Sequence, residues 1–338
     1  MPALAALDLG TNNCRLLVAR PHDDGFEVID SFSRIVRLGE GLAASGWLKE
    51  RAMARTIAAL RVCARIIARH GVRQARCVAT EACRRAINGP EFLARVRRAT
   101  GIELEILEHE QEAQLALLGC LPLIERSAGP ALLVDIGGGS TEILWLDHGE
   151  PAGGEPTSVS LPIGVVALSE AFTSEPDPST FEAMVDHVRA AIDAVRVLRF
   201  GWRPPAQLIG TSGTITTLAA MHLDLRRYDR RRIDGLVLDR ASVAEVSERL
   251  RAMTNAARAA HPCIGPGRAD LVVAGCAILE SVLRIWPATV LRVADRGLRE
   301  GILHGLMGHT LEAALYAQPG PSLPLVGLGP LAINATPA

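Results

Sequence analysis

The chain has 338 residues, 49% hydrophobic and 22% charged, which suits two packed domains of ordinary size and excludes bulk disorder. A formal net charge of −1 removes any bulk attraction to nucleic acid or to a membrane surface, so neither DNA nor membrane is expected as a partner. No apolar run reaches the ~18 uncharged residues of a membrane span, no basic segment precedes the first strand as in a signal peptide, and seven scattered cysteines give no disulfide framework, so a cytoplasmic protein is expected.

In chain order, residues 3–18 (ALAALDLGTNNCRLLV) read as an apolar strand, a polar turn and a second strand, and FEVIDSFSRIVRLG continues the antiparallel run. An amphipathic helix is expected from about Lys49 to His70, with Ile57, Leu60, Ile66 and Ile67 at helical spacing and Gly71 ending it. RCVAT (76–80) reads as a buried strand, Gly89 to Thr100 as a helix, ELEIL (103–107) as a strand, and Glu110 to Cys120 as a helix. Then come a hairpin at 131–145, a strand near Ser158 to Leu161, helices over Pro178 to Arg199, and QLIGTSG (207–213) running into a helix. A helix over Ala269 to Arg284, a strand at 289–295 and a helix over Leu298 to Met307 follow. The Pro- and Gly-rich stretch from Gln318 reads as a loosely ordered tail.

ALLVDIGGGSTEILW (131–145) repeats the grammar of residues 3–18, with Asp135 falling on Asp8 and Gly137 on Gly10, 127 positions apart. Two related α/β domains, each opening on a β-hairpin and each a mixed sheet flanked by helices, are therefore expected. The boundaries read as 1–125 and 126–315, with 316–338 as the tail; the helix near 298–308 is a candidate to pack back on the first domain.

Five motifs carry chemistry. Asp8 with Thr11, Asn12 and Asn13 places a carboxylate at a strand end beside a turn able to cradle a phosphate, the Asp holding Mg²⁺ directly or through water. Asp135 to Glu142 (DIGGGSTE) is more specific: Gly137, Gly138 and Gly139 let the main chain approach an anion, with Ser140 and Thr141 beside them. Its flanking acids would repel a bare phosphate, so this motif implies a metal–phosphate ligand. Gly210, Thr211, Ser212 and Gly213 end a strand and open a helix, a place where backbone N–H groups take either a cap or an anion. Glu108 to Glu112 opens another helix, its acids either decorating the first turn or positioning a water. Thr80 to Arg85 can put one guanidinium in a cleft. The run Arg226 to Arg232 reads as a solvated face. Across the chain 35 Arg stand against a single Lys; forked guanidiniums suit phosphate, although a GC-rich genome is the plainer source of the skew.

In order, DLGTNNCRLLVA, VATEACRRA, EHEQEAQLA, VDIGGGSTEI, IGTSGTITTLA and VADRGLREGIL resemble the blocks of the exopolyphosphatase and guanosine pentaphosphate phosphohydrolase family, within the actin-like ATPase superfamily. The resemblance runs from residue 8 to about 305. It implies two duplicated actin-like (ribonuclease H-like) domains, each with a five-stranded sheet, and an active-site cleft between them. It also implies that Asp8, Asp135 and Glu142 hold Mg²⁺, with Mn²⁺ and a monovalent cation such as K⁺ as further candidates. Phosphate would be lined by Thr11, Asn12, Asn13, Arg84, Gly137 to Thr141 and Gly210 to Gly213. Glu112 corresponds to the carboxylate that orients or deprotonates water, but the family's Ser-Gly-x-Glu-Glu-Ala block stands here as Glu108-His109-Glu110-Gln111-Glu112-Ala113. Glu112 and Glu110 therefore both remain candidates.

The activity so implied is hydrolytic release of terminal phosphate from inorganic polyphosphate by a homodimer. Hydrolysis of guanosine pentaphosphate (pppGpp) at the same site is an alternative, as is a non-catalytic polyphosphate- or nucleotide-binding regulator. A sugar kinase is a weaker fourth.

Overall fold

The protein is described by a computed structural model covering residues 2–23, 25–147, 156–172, 177–199 and 204–316; the tail expected from Gln318 lies outside these residues. The first sheet holds β1 (Leu4–Leu9), β2 (Asn13–His22), β3 (Gly25–Ile35), β4 (Gln74–Ala79) and β5 (Glu105–Ile106) in the order β3-β2-β1-β4-β5. The second holds β6 (Ala131–Ile136), β7 (Thr141–Leu146), β8 (Thr157–Leu161), β9 (Gln207–Thr211), β10 (Val237–Asp239) and β11 (Val290–Ala294) in the order β10-β11-β9-β6-β7-β8.

The two sheets are built on one plan. In each, the first three strands are antiparallel neighbours, and the next joins the first strand in parallel, β4 on β1 and β9 on β6. The second sheet is not five-stranded as expected: β10 adds a sixth strand, antiparallel on β11. Three residues wedged between an arginine run and a helix offer too little alternation to be read as a strand. ELEIL likewise contributes only two residues to its sheet, beside Val78 and Ala79.

Central strands β6 and β7 are buried almost throughout and are apolar except at their turn ends, Asp135, Thr141 and Glu142; edge strand β3 is mostly half-buried or exposed. The helix Glu50–Arg69 packs Met53, Ile57, Leu60 and Cys63 on the first sheet. Helices Pro178–Arg199, Ser212–His222 and Val272–Ile285 cover the outer face of the second. Among the described residues no helix is long and apolar enough to cross a membrane.

Between the sheets lie two crossed helices. His109–Cys120 follows the last strand of the first sheet yet packs Ala113, Leu117 and Cys120 on the second, against Leu133, Leu144 and Ile209. Leu298–Leu306 follows the last strand of the second sheet and packs Leu298, Ile302 and Leu303 on the first, against Leu4, Leu17 and Val78. They cross backbone to backbone: a Cβ on Gly301 would stand 1.9 Å from the Leu115 carbonyl oxygen, and one on Gly119 2.0 Å from that of Gly297. Only glycine fits at either place.

Alanine normally favours a helix over glycine by about 1 kcal/mol. Here Gly301→Ala should instead destabilise the fold by about 1–3 kcal/mol through overpacking, read as a lower urea midpoint; an unchanged or raised midpoint would contradict this crossing.

Candidate active-site cleft

The two opening hairpins meet turn to turn. In the first, Asp8 faces Arg15 across the ladder and the turn closes by Gly10 N–H donating to Asn13 O at 2.9 Å. In the second, Asp135 faces Glu142 and Gly137 N–H donates to Ser140 O, also at 2.9 Å. A Cβ on Gly138 would lie 3.0 Å from the Asn12 nitrogen, and one on Gly139 2.5 Å from Thr11 Oγ1. The tips touch because neither glycine has a side chain.

Segment 36–41 braces the first turn: Val36 and Arg37 N–H groups donate to Asn12 O, and Gly39 N–H to Thr11 O. The same segment reaches across the cleft. Gly41 N–H donates to Glu170 Oε1 at 2.8 Å, and the Arg37 guanidinium pairs with Asp270 and donates to Gly267 O at 3.3 Å.

Two cavities flank the contact between the tips. The larger is lined by Asn12, Asn13, Gly137, Gly138, Ser212, Gly213, Thr214 and Arg268. The smaller is lined by Thr11, Gly39, Glu81, Arg85, Gly139 and Glu170. Thr11 Oγ1, Asn12 Oδ1 and Asn13 Oδ1 are buried without a hydrogen-bond partner. Unpaired buried polar atoms are costly in a finished interior, so three in one turn mark a place built for a ligand.

Four carboxylates surround this point. Burial, partly offset by Arg15 and Arg299, raises Asp8 above the ordinary carboxylate range. Burial and the charge of Asp8 push Asp135 up to about 6. Burial and Asp135 push Glu142 up to about 7, against hydrogen bonds from Ser140 and Ser160. Glu112 stands well above the usual value through burial and the charge of Glu142, with Arg84 pulling the other way. Buried acids that raise one another lack enough positive charge, and a divalent cation is the chemical group that would supply it.

Of the two candidate acids, Glu110 is exposed and Glu112 faces inward. Arg84 Nη2 lies 3.3 Å from Glu112 Oε2, 2.9 Å from Glu81 Oε2 and 2.9 Å from His109 Nδ1. Among the described residues, one group of three places candidate metal-ligand atoms within 4.8 Å of one another: His109, Glu112 and Glu142. Asp8 and Asp135 fall outside that group. Their carboxylates act on Glu142 and Glu112 at longer range.

The expected phosphate residues divide. Thr11, Asn12, Asn13, Gly137 to Gly139, Ser212 and Gly213 line the cavities, while Arg84 sits beside Glu112. Ser140, Thr141, Gly210 and Thr211 line neither cavity: Thr141 and Thr211 donate their hydroxyls to the carbonyls of Ile163 and Arg296, and Gly210 packs against Ile215 and Leu291. Ser212 holds a left-handed φ of 82°, a strained conformation for a side-chain-bearing residue, at the start of its helix. Arg226 to Arg232 is only in part a solvated face. Arg226, Arg227, Arg231 and Arg232 are exposed, but Arg230 turns inward to Glu300 at 2.6 Å.

Motif reading missed Arg15 and Arg268, whose guanidinium atoms each come 3.9 Å from where a Gly213 Cβ would stand. Arg15 carried a signal, a charge set just before the apolar stretch Leu16 to Ala19, and it is the cross-strand partner of Asp8. Arg268 sits in a turn, GPGRAD, where no periodicity applies. Burial and the charge of Arg15 lower the affinity of Arg268 for its proton, as expected of two cations sharing a space without an anion.

The model of the Ppx/GppA phosphatase family matches residues 17–310. Exopolyphosphatase 2 of Mycobacterium tuberculosis is 32% identical over 330 residues, spanning 90% of this chain and 98% of that one. A solved exopolyphosphatase of Cytophaga hutchinsonii superposes with a TM-score of 0.82 at 26% identity, covering 91% of this chain and 99% of the other. The Aquifex aeolicus Ppx/GppA protein superposes at 0.74 with 30% identity, covering 91% and 98%. The two helix-flanked sheets form the actin-like ATPase fold.

With divalent ions chelated, Asp135→Asn should raise the melting temperature, because one of four mutually repelling carboxylates is removed, and the rise that wild type gains from Mg²⁺ should shrink. A lower melting temperature in chelator would show that this carboxylate is already compensated within the fold.

Proposed function

The chain belongs to the Ppx/GppA phosphatase family, and from that premise we propose that it is an exopolyphosphatase, releasing terminal phosphate from inorganic polyphosphate by attack of water. The observation that carries the reading is Glu112, an inward-facing carboxylate beside Arg84 and Glu142 at the meeting point of two phosphate-type turns. A regulator that only binds polyanion has no use for a buried acid there, since it repels the ligand. Relatives named as exopolyphosphatases over nearly their full lengths support the same substrate class.

In this mechanism the backbone N–H groups at Thr11, Asn12, Gly138 and Gly139 cradle the terminal phosphoryl group. The unpaired oxygens of Thr11, Asn12 and Asn13 hold its water or ion shell. Arg15 and Arg268 take the phosphates behind it, on the side of the larger cavity. Glu112 aligns the attacking water and accepts its proton as the bond to phosphorus forms, while the shortened chain departs with its own oxygen. Arg84 balances charge on the equatorial oxygens. Glu142, with Asp8 and Asp135 behind it, would hold the divalent ion, which supplies charge neutralisation for phosphate and carboxylates together. The ion is proposed to be Mg²⁺, the compartment the cytoplasm and the working form a homodimer.

The test is phosphate release with Mg²⁺ from long-chain polyphosphate, pppGpp and ATP at matched terminal-phosphate concentration. Polyphosphate should dominate, and Glu112→Gln should lose about 10²-fold or more of turnover while still binding substrate. A preference for pppGpp would overturn the substrate assignment, and unchanged turnover in the variant would remove Glu112 from the chemistry.

A further inference from the structure

Glu81 is a buried acid of this cleft with no part in the hydrolysis described so far. It opens the short helix Glu81–Arg85 directly after β4, and is only 3% exposed. Its Oε2 accepts from Arg84 Nη2 at 2.9 Å and lies 3.8 Å from His109 Nε2; its Oε1 lies 3.7 Å from Arg85 Nε. Its stem packs under the tip of the glycine turn, its Cγ 2.9 Å from where a Cβ on Gly139 would stand. An acid buried this deep, beside the expected path of a polyanion, repels the substrate and so needs a reason to be there.

Arg84 supplies the reason. Its guanidinium is shared by two carboxylates on unequal terms: 2.9 Å to Glu81, against 3.3 and 3.4 Å to Glu112. Nη1 is further tied to the Leu107 carbonyl and Nη2 to His109 Nδ1. Among the described residues, hydrogen bonds reach the Glu112 carboxylate only at Oε2. A guanidinium left with a single carboxylate closes on it as a two-pronged fork, engaging both oxygens.

We propose that Glu81 is a positioning residue for hydrolysis: it anchors Arg84 off the second oxygen of Glu112, which stays open to the attacking water. This rests on the roles given above to Glu112 and Arg84. The consequence is a kinetic pattern opposite to ordinary damage. Without the Glu81 charge, Arg84 closes on Glu112 and turnover falls, while the cleft loses a negative charge and holds polyphosphate at least as tightly.

The experiment measures kcat and KM on long-chain polyphosphate for wild type, Glu81→Gln, Glu81→Asp and Glu112→Gln. Polyphosphate affinity is measured separately by calorimetry. Wild-type turnover that is lost in Glu112→Gln establishes the underlying reading; if wild type releases no phosphate, that reading fails by itself. Given turnover, kcat should rank wild type, Glu81→Asp, Glu81→Gln, the last down about tenfold or more, as expected when a reacting group is displaced by a fraction of an ångström. Neither KM nor the dissociation constant should rise. Should Glu81→Gln not fold, Glu81→Asp alone tests the same signs, since its shorter arm loosens the hold on Arg84. A kcat in the variants equal to wild type, or a fall in kcat accompanied by a rise in KM, would overturn the proposal.

Discussion

Four acids, Asp8, Glu112, Asp135 and Glu142, are carried by separate elements into one buried space, and all four hold their protons more tightly than free carboxylates do. No fold gathers such a group for stability, because each acid raises the others and burial raises them all. The arginines nearby do not cancel the excess. Arg15 and Arg299 temper Asp8, and Arg84 is divided between Glu112 and Glu81. The cluster makes sense as half of a site whose other half is a cation with its phosphate. The buried, unpaired oxygens of Thr11, Asn12 and Asn13 suit the same ligand.

The architecture holds this arrangement by close backbone approach. Two hairpins of one plan present their turns tip to tip, and the contact is possible because Gly138 and Gly139 carry no side chains. Behind them the crossed helices tie each sheet to the chain segment that follows the other sheet. Glu112 rides on one of these helices, and the Gly119 and Gly301 crossing sets how that helix lies. Glycine therefore acts at two levels, letting the two turns meet and setting how the helix that carries Glu112 lies.

Much of this was legible in the sequence. The repeat of Asp-x-Gly between apolar strands, at Asp8 and again at Asp135, led to the duplicated hairpins because a tight turn between two buried strands has few solutions. The helix Gly89–Thr100 was readable because a proline and a glycine punctuate its ends. What escaped has physical causes. β10 is too short for alternation to register. Arg268 sits in a turn, and Arg230 differs from the exposed arginines around it only in facing Glu300 across 70 positions of chain. Which of Glu110 and Glu112 faces inward is visible only in the fold, because two acids two residues apart on a helix point in different directions. Glu81 is the clearest case: its partner Arg84 stands three residues on in the same short helix, but Glu112, which shares that guanidinium, comes from another helix and only folding brings it there.

Everything proposed for this cleft depends on the buried acids forming a cation site that serves phosphate. The most direct measurement is anomalous diffraction from crystals grown with Mn²⁺ and a short polyphosphate, with the Glu112→Gln variant used to preserve the ligand. One strong anomalous peak should be bonded to Glu142, with Asp8 and Asp135 bonded to it directly or through its waters, and with phosphate against the Thr11 and Gly138 turns. Mn²⁺ and phosphate lodged elsewhere, with the four carboxylates still facing one another unbridged, would contradict it.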